Sequence, residues 1–436
     1  MYDLTQEKAA PIGVLIAVQT QEIDDLALGQ SLDELGRLAK TFGVEVMGRI
    51  TQRLATGAKP MYLGPGKVED VVSLIEELRE AHPGRPVALI ADDELTPWQN
   101  RHLTAAAKAD DLLDRTELIL EIFHRHAQSR EARAQVELVR LAYQAPRLRE
   151  KRTGADVGRV RGGSKGAGES ALELGRRQIR DRMAELRKTL AQIARDRETQ
   201  RARRQDVRCT ALVGYTNAGK STLMRALTGS QVLVADKLFA TLEATVRQLQ
   251  PVVHPNILVS DTVGFIRKLP HDLVASFKST LDAALDASLL LHVVDASDVS
   301  CLTHIDTTLA VLAEIGGADI PMRYVFNKID KVDDPQRLGA LRADYPEALF
   351  VSAHDPKDVH HVHKLVVATF QGALEEHTFV LRHDEGAIRA RLFALCEVLD
   401  ERYDANHGTY CVRATPVAVE QIEALISARQ GQQRRR

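Results

Sequence analysis

A glycine-rich segment near the middle of the chain has the residue types and spacing of a phosphate-binding loop. It reads Gly-Tyr-Thr-Asn-Ala-Gly-Lys-Ser at 214–221 and follows the apolar run 211–213. Glycines let the backbone curl so that several N–H groups face one phosphate chain, and the helix expected next adds the positive end of its dipole. Lys220 can reach the outer phosphates, and the Ser221 hydroxyl can bind Mg²⁺. The pattern predicts a nucleoside triphosphate site.

A second segment supplies residues suited to the metal and to the terminal phosphate. Asp-Thr-Val-Gly occupies 261–264 and ends the strand-like run 257–259. The Asp261 carboxylate would hold Mg²⁺, usually through water, and the Gly264 N–H would contact the terminal phosphate. Alone, this short pattern is typical of an ordinary turn. Because it lies downstream of a phosphate loop in the expected order, we predict that it belongs to the same site.

Two further segments predict that the base is guanine. Asn-Lys-Ile-Asp at 327–330 follows an apolar run, and the Asp330 carboxylate can accept two N–H bonds from one edge of guanine. Adenine cannot supply both bonds. Charge-assisted hydrogen bonds contribute about 1.5–3 kcal/mol each, so the pair would favour GTP over ATP roughly a hundredfold. Ser352 and Ala353 follow the apolar run 348–351 and would complete the base pocket with a small residue and a backbone N–H.

A threonine between the phosphate loop and Asp261 is expected to close on Mg²⁺ when the terminal phosphate is present. Thr241 is the preferred candidate, but spacing leaves Thr245 open. The residues predicted to contact the nucleotide are Gly214, Tyr215, Thr216, Asn217, Ala218, Gly219, Lys220, Ser221, Thr222, Phe239, Ala240, Thr241, Asp261, Thr262, Val263, Gly264, Asn327, Lys328, Asp330, Ser352 and Ala353. The predicted catalytic residues are Lys220, Thr241 and Gly264, and the predicted Mg²⁺ ligands are Ser221, Thr241 and Asp261.

Two features of these motifs bear on hydrolysis. Phe265 follows Gly264, at the position where many GTPases place a water-orienting glutamine, and no arginine finger is identifiable. We therefore expect slow unstimulated hydrolysis, on the order of 10⁻⁴ to 10⁻² per second. Asn217 either rigidifies the loop or helps to hold K⁺ against the phosphates, and the sequence leaves both alternatives open.

The composition is typical of a multidomain globular protein. The 436 residues predict two to four domains, with 44% hydrophobic and 27% charged residues. No stretch approaches the roughly 18 apolar residues that span a bilayer, and the N-terminus lacks the pattern of a signal peptide. The four cysteines are scattered without the spacing of metal ligands, which is typical of a reducing compartment. We therefore expect a cytoplasmic protein without a transmembrane segment.

Charge is strongly segregated along the chain. Residues 146–204 contain 18 Lys and Arg against 8 Asp and Glu, which gives this segment a net charge of +10. Because the whole chain has a net charge of −2, the remaining residues together carry −12. Such segregation predicts a polyanionic partner, although a solvated helix surface or a flexible linker would account for part of it. Glycine-rich loops let the backbone approach phosphates closely. The residues predicted to contact RNA are Arg149, Lys151, Arg152, Arg159, Arg161 and Lys165.

The order of apolar and polar segments predicts an α/β protein in four parts. Apolar runs at 12–18 and 86–90 predict buried strands, and 116–143 predicts one long helix. A second long helix is expected at 171–204, where apolar residues at 179, 183, 186, 190 and 193 have the spacing of a coiled-coil seam. We predict an N-terminal α/β domain at 1–115, an antiparallel helical hairpin with a basic glycine-rich loop at 116–205, a P-loop GTPase domain at 206–372 and a small C-terminal α/β domain at 373–436.

The C-terminal part has its own pattern of elements. The sequence predicts a strand near residue 377, a helix at 385–400, a strand at 409–414 and a helix at 417–429. The terminal run of three arginines is expected to be a frayed basic tail. We therefore predict that this region is a small α/β domain that follows the nucleotide-binding domain.

With these motifs in place, the chain resembles the HflX family of translation GTPases over essentially its whole length. The similarity is carried, besides the GTP motifs, by segments at 93–99, 113–120, 135–138, 146–148, 166–169 and 239–242. The resemblance implies an N-terminal domain that docks on the large ribosomal subunit and a hairpin loop that reaches toward the peptidyl transferase region. We expect the protein to be a monomer. It also implies GTP-dependent dissociation and rescue of stalled ribosomes under stress.

The loop departs from the family pattern, which usually reads closer to Gly-Thr-Arg-Gly-Pro-Gly-Glu-Thr. Here 163–170 reads Gly-Ser-Lys-Gly-Ala-Gly-Glu-Ser, and Lys165 cannot form the planar fork of an arginine. Two other functions therefore stay open. One is a ribosome-assembly or RNA-remodelling NTPase, which could use ATP through the N-terminal domain. The other is a non-ribosomal GTP switch that regulates a protein partner such as a membrane protease.

Overall fold

The computed structural model describes residues 10–54, 61–151, 171–202, 208–229, 238–239, 245–253, 256–270, 273, 285–371 and 374–433. The chain divides into two compact units. Unit 1 contains Met1–Ala194, Asp236–Leu242 and Lys268–Phe277, and unit 2 contains Arg195–Ala235, Glu243–Arg267 and Lys278–Arg436. The finer division into four domains stays a prediction.

Unit 1 is built around a parallel sheet. Its described strands are β1 (Ile12–Gln19), β2 (Glu45–Arg53), β3 (Val87–Ala91) and β4 (Asp111–Asp114), in the order β2-β1-β3-β4. Its described helices are α1 (Asp25–Phe42), α2 (Pro65–Ala81), α3 (Pro97–Ala107), α4 (Arg115–His126), α5 (Arg130–Lys151) and α6 (Ala171–Ala202), the last of which continues past Ala194. All eight residues of β1 are buried, as expected for an inner strand covered on both faces. The predicted buried strands near 12–18 and 86–90 are confirmed.

Local sequence determines where several of these helices begin and end. The Ala27 N–H donates to the Asp24 carboxylate at 2.6 Å, which caps α1, and the helix ends at Gly43 with φ 95°. Thr96 and Gln99 form a reciprocal capping box ahead of α3, with Pro97 at its first position. The capping box and Pro97 therefore mark the start of α3.

The predicted single helix at 116–143 is wrong, because the chain breaks between α4 and α5. Ala127 has an extended conformation with ψ 115°, and the Ala132 N–H donates to the Ser129 hydroxyl at 3.1 Å. This side-chain cap starts a new helix within a run that has no Pro or Gly to mark the boundary. Periodicity alone could not show the break, since both helices bury an apolar face.

The coiled-coil spacing of α6 agrees with the pattern of burial along that helix. Leu186 is buried, and the other four seam positions (Ile179, Met183, Leu190 and Ile193) are half-buried among exposed neighbours. Arg182 makes a two-pronged ion pair with Glu137 of α5, with nitrogen–oxygen distances of 2.8 and 2.9 Å. This ion pair therefore joins α6 to α5.

Unit 2 contains two sheets. The described strands of the larger sheet are β5 (Arg208–Val213), β6 (Thr245–Gln248), β7 (Ile257–Asp261), β8 (Leu289–Asp295), β9 (Met322–Asn327) and β10 (Leu349–Phe350), in the order β10-β9-β8-β5-β7-β6. Only β6 pairs antiparallel among these described strands. The helices described beside this sheet are α7 (Lys220–Thr228), α8 (Cys301–Ile315), α9 (Pro335–Asp344) and α10 (Pro356–Gln371).

The second sheet of unit 2 is antiparallel and lies at the C-terminal end of the sequence. Its elements are β11 (Glu375–Arg382), α11 (Gly386–Leu395), β12 (Glu397–Tyr403), β13 (His407–Ala414) and α12 (Pro416–Gln433), with strand order β11-β13-β12. The predicted helix at 385–400 is wrong at its end, because residues 397–403 form β12. The Asp404 carboxylate accepts the N–H groups of Asn406 and His407 at 2.8 and 2.7 Å, which closes the β12–β13 hairpin.

No helix in the described part of the chain is long and apolar enough to cross a membrane. The four cysteines (Cys209, Cys301, Cys396 and Cys411) are free, as their scattered spacing predicts.

Candidate nucleotide-binding site

The predicted phosphate loop connects β5 to α7 and has a backbone that requires glycine. Gly214 has φ 144°, and a Cβ there would lie 2.2 Å from the Val293 carbonyl oxygen. Gly219 has φ 96°, and a Cβ there would lie 2.2 Å from the side-chain nitrogen of Asn327. Both conformations are unfavourable for other residues. The glycines therefore allow the loop to curl closely against the ends of β8 and β9.

Lys220, the first residue of α7, is buried. Its ammonium group donates to the carbonyl oxygens of Gly214 and Tyr215 at 3.0 and 2.8 Å. The pKa of Lys220 is lowered to about 8, mainly by burial, while Asp261 opposes the shift and Lys328 adds to it. The cation therefore lies at the loop, where it can exchange main-chain acceptors for phosphate oxygens.

The predicted metal ligands meet at the carboxyl end of β7. The Ser221 hydroxyl donates to a carboxylate oxygen of Asp261 at 2.7 Å, and Asp261 is fully buried. Gly264 lies against the same loop, since a Cβ on it would be 3.0 Å from the Lys220 ammonium. Thr262 donates its hydroxyl to the Leu212 carbonyl at 2.7 Å, so its side chain ties β7 to β5. Two oxygen groups that could bind a hard metal ion thus lie side by side next to the phosphate loop.

Asn327 joins the phosphate loop to the predicted base pocket. Its side-chain amide nitrogen donates to the Ala218 carbonyl at 3.0 Å, and its amide oxygen accepts the Ala353 N–H at 3.0 Å. Asn327 is buried, so these bonds lie away from water. One side chain therefore fixes the distance between the loop and the segment that carries Ser352 and Ala353.

Lys328 and Asp330 follow Asn327 on the other side of the pocket. The Lys328 ammonium donates to the Asn217 carbonyl at 2.6 Å and to the Asp295 carboxylate at 2.7 Å. A hydrogen bond from Ser352 is the largest cause that lowers the pKa of Asp330, which is exposed. The Asp330 carboxylate is therefore charged at neutral pH and accessible to a base.

Several predicted residues have other surroundings or lie outside the described residues. The ring of Phe239 is buried in unit 1 and packs on Phe123, with ring centroids 4.4 Å apart. Thr245 pairs with Asp261 in the β6–β7 ladder. Thr222 follows Ser221 in the first turn of α7, and Val263 is buried after β7.

The residues outside the described part are Ala240, Thr241, Arg152, Arg159, Arg161 and Lys165, and Arg149 and Lys151 are described only as backbone of α5.

Asp295 is a site residue that the sequence motifs did not identify. It ends β8 beside Asn327 in the β8–β9 register, and its carboxylate also accepts the N–H and hydroxyl of Ser297 at 3.0 and 2.6 Å. The available signal was a carboxylate directly after a buried strand, which is the same signal that identified Asp261. Its partner Lys328 could be assigned only from the fold.

Three segments meet at the carboxyl edge of one mainly parallel sheet. They are the phosphate loop between β5 and α7, the carboxylate at the end of β7, and the Asn-Lys-Ile-Asp segment after β9. This arrangement defines a P-loop GTPase. Models of protein families agree along the chain: "GTP-binding GTPase N-terminal" matches residues 29–124, "GTP-binding GTPase Middle Region" matches 126–204, and "50S ribosome-binding GTPase" matches 209–328. Curated relatives extend this agreement to full-length proteins.

The GTPase HflX of Gluconacetobacter diazotrophicus is 46% identical over 449 residues, which cover 96% of this chain and 98% of that protein. The GTPase HflX of Escherichia coli K12 is 36% identical over 383 residues, which cover 87% and 88% of the two chains. The chain therefore belongs to the HflX family of GTPases. The predicted family, fold class and GTP-hydrolysing activity are confirmed.

Solved structures that match the chain include a GTP-binding protein from the hyperthermophilic archaeon Sulfolobus solfataricus in complex with GDP. It is 22% identical, covers 82% of this chain and 99% of its own, and has a TM-score of 0.43. The complex of SsGBP with GDP is 23% identical, with 83% and 98% coverage and a TM-score of 0.46.

Proposed function

We propose that the protein is a cytoplasmic, Mg²⁺-dependent GTPase that binds the large ribosomal subunit and promotes dissociation and rescue of stalled ribosomes. GTP hydrolysis is the switch between its bound and released states. The observation that carries the nucleotide part is the convergence of Lys220, Asp261 and Asn327 on one loop. The ribosomal part is supported by the match of residues 209–328 to a family described as 50S ribosome-binding GTPases and by the charge of residues 146–204.

The loop would hold the phosphates of GTP while the segment after β9 holds the base. Backbone N–H groups of 214–221 surround the phosphate chain, and Lys220 transfers its hydrogen bonds from the loop carbonyls to the outer phosphates. Asp330 accepts the two N–H bonds of the guanine edge, and Ala353 lines the pocket held by Asn327. GTP, GDP and no other purine nucleotide should therefore bind tightly.

The residues at the end of β7 fit a magnesium ion. Mg²⁺ prefers hard oxygen ligands and usually keeps several waters, and the Ser221 hydroxyl and Asp261 carboxylate supply such oxygens 2.7 Å apart. When bound, the ion would neutralise charge that develops on the phosphates. Thr241 remains our proposed third ligand. Hydrolysis should stop in EDTA and return with added Mg²⁺, whereas activity that persists in EDTA would contradict this assignment.

Hydrolysis by the isolated protein should be slow, because the side chain after Gly264 cannot orient water. Phe265 is buried, with 1% of its surface exposed. We propose that the ribosome supplies the missing orientation and that K⁺ near Asn217 assists. Rates measured in K⁺ and in Na⁺ buffers, with and without large subunits, separate these two contributions. Equal rates in the two salts would remove K⁺ from the proposal.

The basic loop is our proposed RNA-contacting element. Each phosphate contact releases counterions, so binding should weaken steeply as salt concentration rises. Arg149, Lys151, Arg152, Arg159, Arg161 and Lys165 are the proposed contact residues. Their charge would position the loop on ribosomal RNA, and sequence-specific contacts would come from base edges.

The test is co-sedimentation of the full-length protein with purified large and small subunits at physiological salt. We expect binding to large subunits with a non-hydrolysable GTP analogue and weaker binding with GDP. Replacing Arg159, Arg161 and Lys165 together with Glu should weaken binding about tenfold or more. A matched control replaces the exposed residues Lys364, Arg389 and Arg391 with Glu and should change binding little.

The outcomes separate the alternative functions. A preference for immature particles over mature subunits would favour an assembly role, and retained ATP hydrolysis in Lys220→Ala would favour a second nucleotide site. Absence of co-migration with any ribosomal particle would refute the ribosomal proposal and favour a GTP switch for a protein partner. Splitting of mature ribosomes into subunits with GTP would support the proposal directly.

A further inference from the structure

The two residues after Gly264, Phe265 and Ile266, point their side chains into the protein. Phe265 and Ile266 are each 1% exposed, so neither reaches a ligand in the site. The Gly264 N–H is expected to contact only the terminal phosphate of GTP. The position of that N–H therefore depends on how the backbone of 264–267 is attached to the phosphate loop.

Three of the described hydrogen bonds attach this segment to the loop. The Thr216 N–H donates to the Phe265 carbonyl at 2.8 Å, and the Phe265 N–H donates to the Gly214 carbonyl at 3.2 Å. These two are an isolated parallel bridge between main chains. The third is different in kind, because the Arg267 N–H donates to the phenol oxygen of Tyr215 at 2.8 Å. One loop side chain thus fixes the far end of the segment.

The ring of Tyr215 is itself held in place. Tyr215 is 5% exposed, and its ring stacks on the imidazole of His304, with centroids 3.7 Å apart and planes 11° from parallel. His304 is buried in α8. Aromatic pairs contribute about 0.5–1.5 kcal/mol beyond the area that they bury, which stabilises this orientation of the ring. The phenol oxygen is therefore presented to Arg267 at a defined place.

We infer that Tyr215 is a positioning residue for GTP hydrolysis: it holds the 264–267 segment so that the Gly264 N–H meets the terminal phosphate. The inference rests on the proposed nucleotide site. Gly264 is already close to the catalytic lysine, since a Cβ on it would lie 3.0 Å from the Lys220 ammonium and 2.8 Å from the Thr216 Cα. Loosening the segment at Arg267 would let Gly264 move away from this position.

A positioning role and a merely structural role differ in their effect on GDP. GDP lacks the terminal phosphate, so a displaced Gly264 should weaken GTP binding and leave GDP binding nearly unchanged. A collapsed loop would instead weaken both nucleotides. One neutral hydrogen bond corresponds to roughly three- to tenfold in an equilibrium constant, which sets the size of the expected effect.

The test is Tyr215→Phe, which removes the acceptor oxygen and keeps the ring on His304. We expect the affinity for a non-hydrolysable GTP analogue to fall about fivefold, GDP affinity to stay within about twofold, and the single-turnover hydrolysis rate to fall about tenfold. His304→Ala keeps the hydroxyl but frees the ring, so it should reduce the ratio of GTP to GDP affinity about twofold or more.

The matched control is Tyr345→Phe, which removes a phenol hydroxyl elsewhere in unit 2 and should leave both affinities and the rate unchanged. Equal weakening of GTP and GDP in Tyr215→Phe, or an unchanged ratio, would overturn the inference while the proposed function stands. Failure of the wild-type protein to bind either nucleotide would overturn both. The melting temperature of each variant shows that the nucleotide effects come from folded protein.

Discussion

Charged side chains are buried at the carboxyl ends of parallel strands in both units, but they are paired differently. In unit 1, Arg115 is 1% exposed and donates to Asp92 at 2.8 Å, to Glu34, and to the Ser31 carbonyl at 2.9 Å. In unit 2, the described hydrogen bonds of Lys220 end on main-chain carbonyls of its own loop. The first cation is neutralised by carboxylates, and the second keeps its charge available to a ligand.

The difference shows that location in a parallel sheet does not by itself define a site. In unit 1, the strand order reverses between β1 and β3, where α/β sheets commonly bind ligands. Asp92 follows β3 there, and burial would raise its pKa, but Arg115 and Lys268 outweigh burial and lower the pKa to about 2. The cluster satisfies its own charges, so we interpret it as structural. The glycine-lined loop of unit 2 is our proposed ligand site.

The largest expected effect on the free energy of unfolding comes from Arg115→Leu, which breaks the buried cluster of Arg115, Asp92 and Glu34. Asp92 and Glu34 would then be buried carboxylates without their cation, which costs about 3–5 kcal/mol. Trp98, the single tryptophan, lies at the start of α3 in unit 1, so urea denaturation followed by its fluorescence reports on this unit. Arg49→Leu removes an exposed pair with Asp33 and should cost under about 1 kcal/mol. Equal losses in the two variants would contradict the comparison.

The corresponding change in the proposed nucleotide site of unit 2 is Lys220→Ala. We expect GTP hydrolysis to fall about 10²–10³-fold, because the loop loses the cation that stabilises charge on the outer phosphates. The melting temperature should stay within a few degrees, since the lysine makes no described ion pair. Lys364→Ala on α10 serves as an exposed control that should keep full activity. Retention of more than a tenth of the activity in Lys220→Ala would refute the catalytic assignment.

Asp330→Asn tests the base end of the same site. The amide would present a donor where guanine also donates, so GTP affinity should fall about a hundredfold while affinity for xanthosine triphosphate rises. Competition binding with the two nucleotides measures this exchange. Asp333→Asn, three residues along the chain and exposed, should leave the preference for GTP unchanged. Unaltered GTP affinity in Asp330→Asn would exclude the proposed base contact.

The smallest expected effect is a pH dependence in unit 1. Burial, helped by Asp114 and Asp111, raises the pKa of Glu117 to about 7. The folded protein therefore keeps this proton above the unfolded pKa of roughly 4.5, and the associated stability is lost as pH rises through 7. From pH 5 to 8 the wild type should lose about 2 kcal/mol relative to Glu117→Gln. If urea denaturation gives the same change in the free energy of unfolding for both proteins between pH 5 and pH 8, the prediction is contradicted.

The glycine loop and the segments of the proposed base pocket could be located from the sequence because their chemistry depends on short spacings. Gly214 and Gly219 must be glycine for local backbone reasons, and Asp261 and Asn327 each follow a recognisable buried strand. Tyr215 could be placed in the loop by sequence, but its hydrogen bond to Arg267 joins residues 52 positions apart. Contacts at such separation depend on strand order, which no local pattern specifies.

The sequence by itself determined the type of site, the guanine motif and the order of the elements, because these follow from residue chemistry over a few positions. Only the tertiary structure decided that Ser129 breaks the predicted helix at 116–143 and that residues 397–403 pair as a strand. It also decided that Arg115 closes a cluster while Lys220 stays open to a ligand. The physical reason is that burial and partners, rather than residue type, set what a charge or an apolar run does.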